Sequence, residues 1–118
     1  MSKTWSSVGA AFVCLSTLAG AGCQASASEL CHEIINRRAR RYESCGVADY
    51  ETARLALEEE FTAMPVVGVS CDDVDDISPS DRETVEERCF PWIDSASCEE
   101  VTTTLSEFCS DDLFVYHP

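Results

Sequence analysis

The sequence is short of positive charge. Eight Lys and Arg stand against 22 Asp and Glu in 118 residues, a formal net charge of −14. Nucleic-acid binding requires cations that neutralise phosphates, so this balance excludes it. An anionic bilayer surface is disfavoured for the same reason. Glycine and proline are few, at five and four, and long β-branched runs are missing. Composition and length therefore point to one all-α globular domain rather than a sheet or a disordered tail. His32 and His117 are the two histidines of the chain. Glycine-rich phosphate loops, a Gly-x-Ser-x-Gly elbow and a His-Glu-x-x-His zinc motif are all absent from the sequence. The expectation is a protein that is not an enzyme and uses no cofactor. A small hydrolase built on a carboxylate pair is the less favoured alternative, because so short a chain leaves little room for a cleft.

What is present begins with an export leader. The amino terminus and Lys3 precede an uncharged stretch of small and apolar residues, Val8–Gly22, as in a signal segment. It is shorter than the roughly 20 apolar residues of a membrane-spanning helix. Two cleavage readings compete. Gly20-Ala21-Gly22-Cys23 approaches a bacterial lipobox with Cys23 as the lipid attachment residue, although Leu18 stands two residues further back than the usual pattern. Ala25-Ser26-Ala27 offers the small-x-small pattern of ordinary cleavage. The expected division is a leader over 1–27 and a cysteine-rich helical domain over 28–118.

Of eight cysteines, Cys14 and Cys23 fall in the leader, which leaves Cys31, Cys45, Cys71, Cys89, Cys98 and Cys109. An even set in an exported small domain implies disulfides. The spacings contain no short Cys pair of the kind that zinc sites or thioredoxin-like redox centres use, so no metal is expected there.

The stretch Ser28–Gly46 has Cys31, Ile34, Ile35, Tyr42 and Cys45 within about 80° of one another at helical periodicity. Ser28 is the expected N-cap and Gly46 the stop. Cys31 and Cys45 would lie about 21 Å apart along such a helix, too far to bond each other. Arg37, Arg38, Arg40 and Arg41 read as a salt-bridged surface with neighbouring acids such as Glu33. Arg38 is the exception, because its angle puts a cation in the middle of the apolar face. It must snorkel, meet a carboxylate or serve as a partner-binding residue.

A second helix is expected from Asp49 to about Met64, with Tyr50, Ala53, Leu57, Phe61 and Met64 as its stripe and Pro65 as its end. Residues 65–71 read as an extended connector and Asp72–Asp76 as a solvated acidic loop. The alternative there is a calcium or cation site using Asp76, Ser78, Ser80, Thr84 and Glu87. Asp81 stands where the calcium loop wants glycine, and Pro79 and Arg82 intrude. A third, short helix opens at Ser80 or Asp81, runs to Cys89 and stops at Pro91, followed by an apolar plug at Trp92-Ile93. A final helix, capped by Ser97 with Glu100, carries Cys98 and Cys109 on one side. Antiparallel packing against the first helix would allow Cys31–Cys109 and Cys45–Cys98 and leave Cys71–Cys89. The tail from Phe114 is expected to pack only partly.

The Gly-Cys junction, the helix ending in Cys45-Gly46, and the segment Cys89-Phe-Pro-Trp-Ile-Asp-Ser-Ala-Ser-Cys98 with a later Cys109 give the chain a resemblance. It is similar to small cysteine-rich lipoproteins and secreted proteins abundant in myxobacteria and related deltaproteobacteria. The resemblance implies a helical, disulfide-linked envelope protein, and the expected form is a monomer on the outer membrane through a lipid anchor, or else periplasmic or secreted. The export leader, the six cysteines and the lack of a catalytic constellation lead to the expected role, structural or partner-binding towards a cell-envelope protein or surface component. No activity and no catalytic residue follow from the resemblance.

Overall fold

The computed structural model describes residues 24–62 and 70–116. The leader up to Cys23, the Phe61 side chain, Met64, the Pro65 stop, most of the 65–71 connector and His117 lie outside the described residues. Helix α1 spans Ala27–Ser44. It starts earlier than expected, because Ser26 and not Ser28 is its cap. The Glu29 N–H donates to Ser26 Oγ at 3.0 Å, and the Ser26 N–H donates to the Glu29 carboxylate at 2.7 Å. This reciprocal arrangement needs a Glu three residues after the Ser, which Ser26 has and Ser28 lacks. Ser28 instead donates its hydroxyl to the Cys71 carbonyl at 2.9 Å. At the other end Gly46 takes φ +77°. That conformation lets the Val47 N–H reach the Tyr42 carbonyl at 2.9 Å and the Gly46 N–H the Glu43 carbonyl at 3.0 Å, satisfying groups the helix end would leave orphaned.

Helix α2, Tyr50–Thr62, follows a short turn and packs against α1. Asp49 caps it by accepting the Thr52 N–H at 3.1 Å and the Thr52 hydroxyl at 3.2 Å. Those bonds hold the Asp49 carboxyl below the usual carboxylate range. Ala53 and Leu57 are buried in one core cluster with Leu30, Ile34, Ile35 and Ala39 of α1.

The acidic stretch is not a loop. After a 3-10 turn at Cys71–Asp73, Val74–Ile77 forms strand β1. It pairs antiparallel with β2, Phe114–Tyr116, in the register Val74↔Tyr116, Asp76↔Val115 and Ile77↔Phe114. The register shifts between Val74 and Asp76. This bulge turns both Val74 and Ile77 inward and Asp75 and Asp76 outward. The tail that was expected to pack only partly therefore contributes a strand, with Phe114 buried.

Ser78, rather than Ser80 or Asp81, caps helix α3, Pro79–Thr84. The helical path then continues through a π-helical turn, Val85–Cys89, into α4, Phe90–Ser95. Pro91 does not stop it. The π turn hands the Phe90 N–H back to the Val85 carbonyl, so Pro91 falls in the first turn of α4, where its missing N–H costs little. Ser97 caps α5 by accepting the Glu100 N–H at 3.1 Å, but α5 ends at Thr103. The Thr102 and Thr103 hydroxyls bond back to the Cys98 and Glu99 carbonyls at 2.7 and 2.6 Å. Such bonds compete with helix propagation in a β-branched run. Ser106 then opens a separate 3-10 turn, Glu107–Cys109.

This break overturns two of the three expected pairings. Cys98 and Cys109 share no helix, so Cys109 does not face Cys31. The disulfides are Cys31–Cys71, Cys45–Cys98 and Cys89–Cys109; the Cys45–Cys98 bond was expected, and the Cys31–Cys109 and Cys71–Cys89 bonds are not formed. In chain order the three links overlap, each beginning before the previous one closes. The fold is a small, mostly helical domain stapled by these bonds, with Val85, Cys89, Ile93 and Val101 fully enclosed at its centre. Three disulfides mark an oxidising setting outside the cytoplasm. No helix among the described residues is long and apolar enough to cross a membrane.

Candidate binding cleft at Arg38

The arginine row on α1 divides by what each side chain meets. Arg37 pairs with Glu33 at 2.8 Å and Asp94 at 2.9 Å and lies over the Phe90 ring. Arg40 sits 3.9 Å from Glu33 and over Tyr50. Arg41 donates to the Ile93 and Ala96 carbonyls at 2.8 and 3.0 Å. Those carbonyls belong to the end of α4, where a cation is electrostatically favoured. Off α1, Arg54 pairs with Glu51 and Glu58, and Arg82 donates to the Ala25 carbonyl at 2.6 Å. Arg88 lies over the Phe108 ring.

Arg38 differs. Its Nε is buried and has no hydrogen-bond partner. It lines a cleft with Ile34, Ile35 and Cys31 of α1, Leu57 and Glu60 of α2, and Leu105, Cys109, Asp111 and Phe114 of the C-terminal segment. The cleft volume is about 30 Å³, room for about two waters. The walls are mostly apolar, and two acids stand among the lining residues. α1 supplies the floor because its apolar face runs through positions 31, 34, 35 and 38. The far wall exists because the break after α5 sends 104–114 back across α1. Arg38 and the α1 face are legible in the sequence. Asp111 and Phe114 are not, because their approach depends on the α5 break and the β1–β2 pairing.

Two residues of the calcium alternative make other bonds. Ser78 caps α3, and the Thr84 hydroxyl donates to the Ser80 carbonyl at 3.1 Å. Asp76 is on β1, so the five positions do not form one loop. No group of three or more His, Cys, Asp and Glu is arranged to hold a metal ion among the described residues. His32 Nε2 lies 2.9 Å from Asp72 Oδ1, beside the Cys31–Cys71 bond. Ser28, one turn earlier on α1, gives its proton to a carbonyl and not to this imidazole.

On α3, Asp81 and Arg82 occupy the first turn and the last turn of the helix. Tyr116, on β2, donates to the Asp111 carbonyl at 3.0 Å. Its burial, together with the Asp111 and Asp112 charges, pushes its phenol well above the usual tyrosine range. Comparison with known proteins adds no relative to this description: no family model, no curated protein and no solved structure matches the chain.

Proposed function

We propose that this chain is a non-catalytic module of the bacterial cell envelope, held by a lipid on Cys23, that receives a protein partner at the Arg38 cleft. The observation that carries the binding half is the unpartnered Arg38 Nε in an apolar cleft. A buried donor without a partner costs about 1–3 kcal/mol, whereas Arg37, Arg41, Arg54 and Arg82 all donate hydrogen bonds. An acidic or carbonyl-bearing side chain of a second protein would supply the missing acceptor.

The anchoring half is favoured by the start of the domain. Ala25 accepts from Arg82, Ser26 caps α1 and Ala27 is buried in the core. Cleavage after Ala27 would discard all three, whereas cleavage before Cys23 keeps them.

Two measurements test it. Intact mass of the non-reduced protein from envelope fractions should report a chain beginning at a lipid-bearing Cys23; a chain beginning at Ser28 sinks the anchor. Cross-linking in envelopes should give an adduct with the wild type that Arg38→Met loses. An adduct indifferent to this substitution, or none at all, sinks the cleft as a binding site.

A further inference from the structure

The three disulfides do not share one environment. Cys31, Cys71, Cys89 and Cys109 are at most 4% exposed. Cys98 is exposed and Cys45 half-buried. The Arg41 guanidinium lies against this pair alone, with Nη2 at 3.8 Å from Cys45 Sγ and 3.9 Å from Cys98 Sγ. Arg41 is itself fixed there by the Ile93 and Ala96 carbonyls. A fixed cation beside sulfur stabilises thiolate, and a better-stabilised thiolate is a better leaving group in exchange.

We infer that Cys45–Cys98 is a thiol-exchange site, open to an external dithiol while the two buried disulfides stay closed. An incoming thiolate attacks the exposed Cys98 Sγ. A mixed disulfide forms there, and the Cys45–Cys98 bonding pair leaves on Cys45 as a thiolate beside Arg41. The second thiol of the donor then attacks the mixed disulfide and releases Cys98 as thiolate. The donor ends as its own disulfide, two electrons poorer, and both protein thiolates take protons from solvent.

The fold survives this opening because α5 has other attachments. Val101 is fully buried, and the Tyr42 hydroxyl donates to the Thr102 carbonyl at 3.1 Å. The product is a folded domain presenting a thiol pair at the C-terminal end of α1, able to form a mixed disulfide with a thiol-bearing protein.

The test uses the oxidised protein and dithiothreitol under native conditions, with timed alkylation and peptide mass mapping. Alkylation of Cys45 and Cys98 at least tenfold faster than of the other four is expected, with unchanged far-UV circular dichroism. Equal labelling of all six, or labelling only after denaturant, overturns the inference. Arg41→Lys keeps a cation with fewer donors and is expected to slow the opening severalfold and to move the pH profile of Cys45 alkylation upward. Should Arg41→Lys fail to fold, the wild-type profile decides: an alkylation midpoint for Cys45 at or above that of an unperturbed thiol, about 8.5, overturns the role of the guanidinium.

Discussion

Consider replacing each disulfide in turn by a pair of alanines. The links span sequence separations of 40, 53 and 20 residues for Cys31–Cys71, Cys45–Cys98 and Cys89–Cys109. Chain entropy alone assigns them about 3.9, 4.2 and 3.3 kcal/mol, so the longest loop, Cys45–Cys98, should matter most. Burial argues the reverse. Truncating a cysteine in the enclosed core removes one packed heavy atom, about 1 kcal/mol each. That adds about 2 kcal/mol for Cys31–Cys71 and Cys89–Cys109 and little for the exposed pair. The expected losses become about 6, 4 and 5 kcal/mol on these two contributions. Cys45→Ala/Cys98→Ala should therefore be the mildest double variant although it opens the longest loop. Urea unfolding of the three variants, at matched m-values, measures the order. If that variant proves the least stable of the three, packing around the buried sulfurs does not carry the weight assigned to it.

Ser26→Ala should cost about 1 kcal/mol by removing the α1 cap, and a chain beginning at Ser28 should lose more, since it also lacks the Ala25 acceptor of Arg82; thermal melts compare the two. Arg38→Met keeps the apolar stem and deletes an unsatisfied donor, so stability in the absence of a partner should rise by about 1 kcal/mol. A fall in urea midpoint would mean that Arg38 serves the scaffold. Because the folded state holds the Tyr116 phenol above its unfolded value, stability is full below about pH 10, the unfolded tyrosine pKa, and declines as pH rises beyond it. Tyr116→Phe should flatten that alkaline decline in a pH series of melts.

Helical periodicity was enough to locate α1 and α2, because Ile34, Ile35, Ala53 and Leu57 repeat at the spacing their packing needs. The Cys45–Cys98 pairing came out right although its premise, a single helix carrying both Cys98 and Cys109, does not hold. Strand β1 was hidden by its bulge: with Asp75 and Asp76 adjacent and both outward, the alternation that betrays a strand is broken. The length of α5 was hidden by hydroxyls, since Thr102 and Thr103 keep the apolar spacing intact while drawing on helix carbonyls. From that misjudged length came the wrong partners for Cys31 and Cys109. Arg38 was visible as a charge in the wrong place, but the wall opposite it comes from residues some 70 positions later in the sequence. No local pattern could bring them together.

The overlap of the three links bears on survival among proteases. Every peptide bond between Cys31 and Cys109 is bridged by at least one disulfide, so a single nick in that span sheds no fragment and leaves one covalent molecule. Opening Cys45–Cys98 removes this protection over one interval only, from Cys71 to Cys89, because Cys31–Cys71 and Cys89–Cys109 still bridge the rest. A cut there, in α3 or β1, would then divide the chain into two separable halves. The exposed disulfide thus sets whether a nicked domain holds together or comes apart.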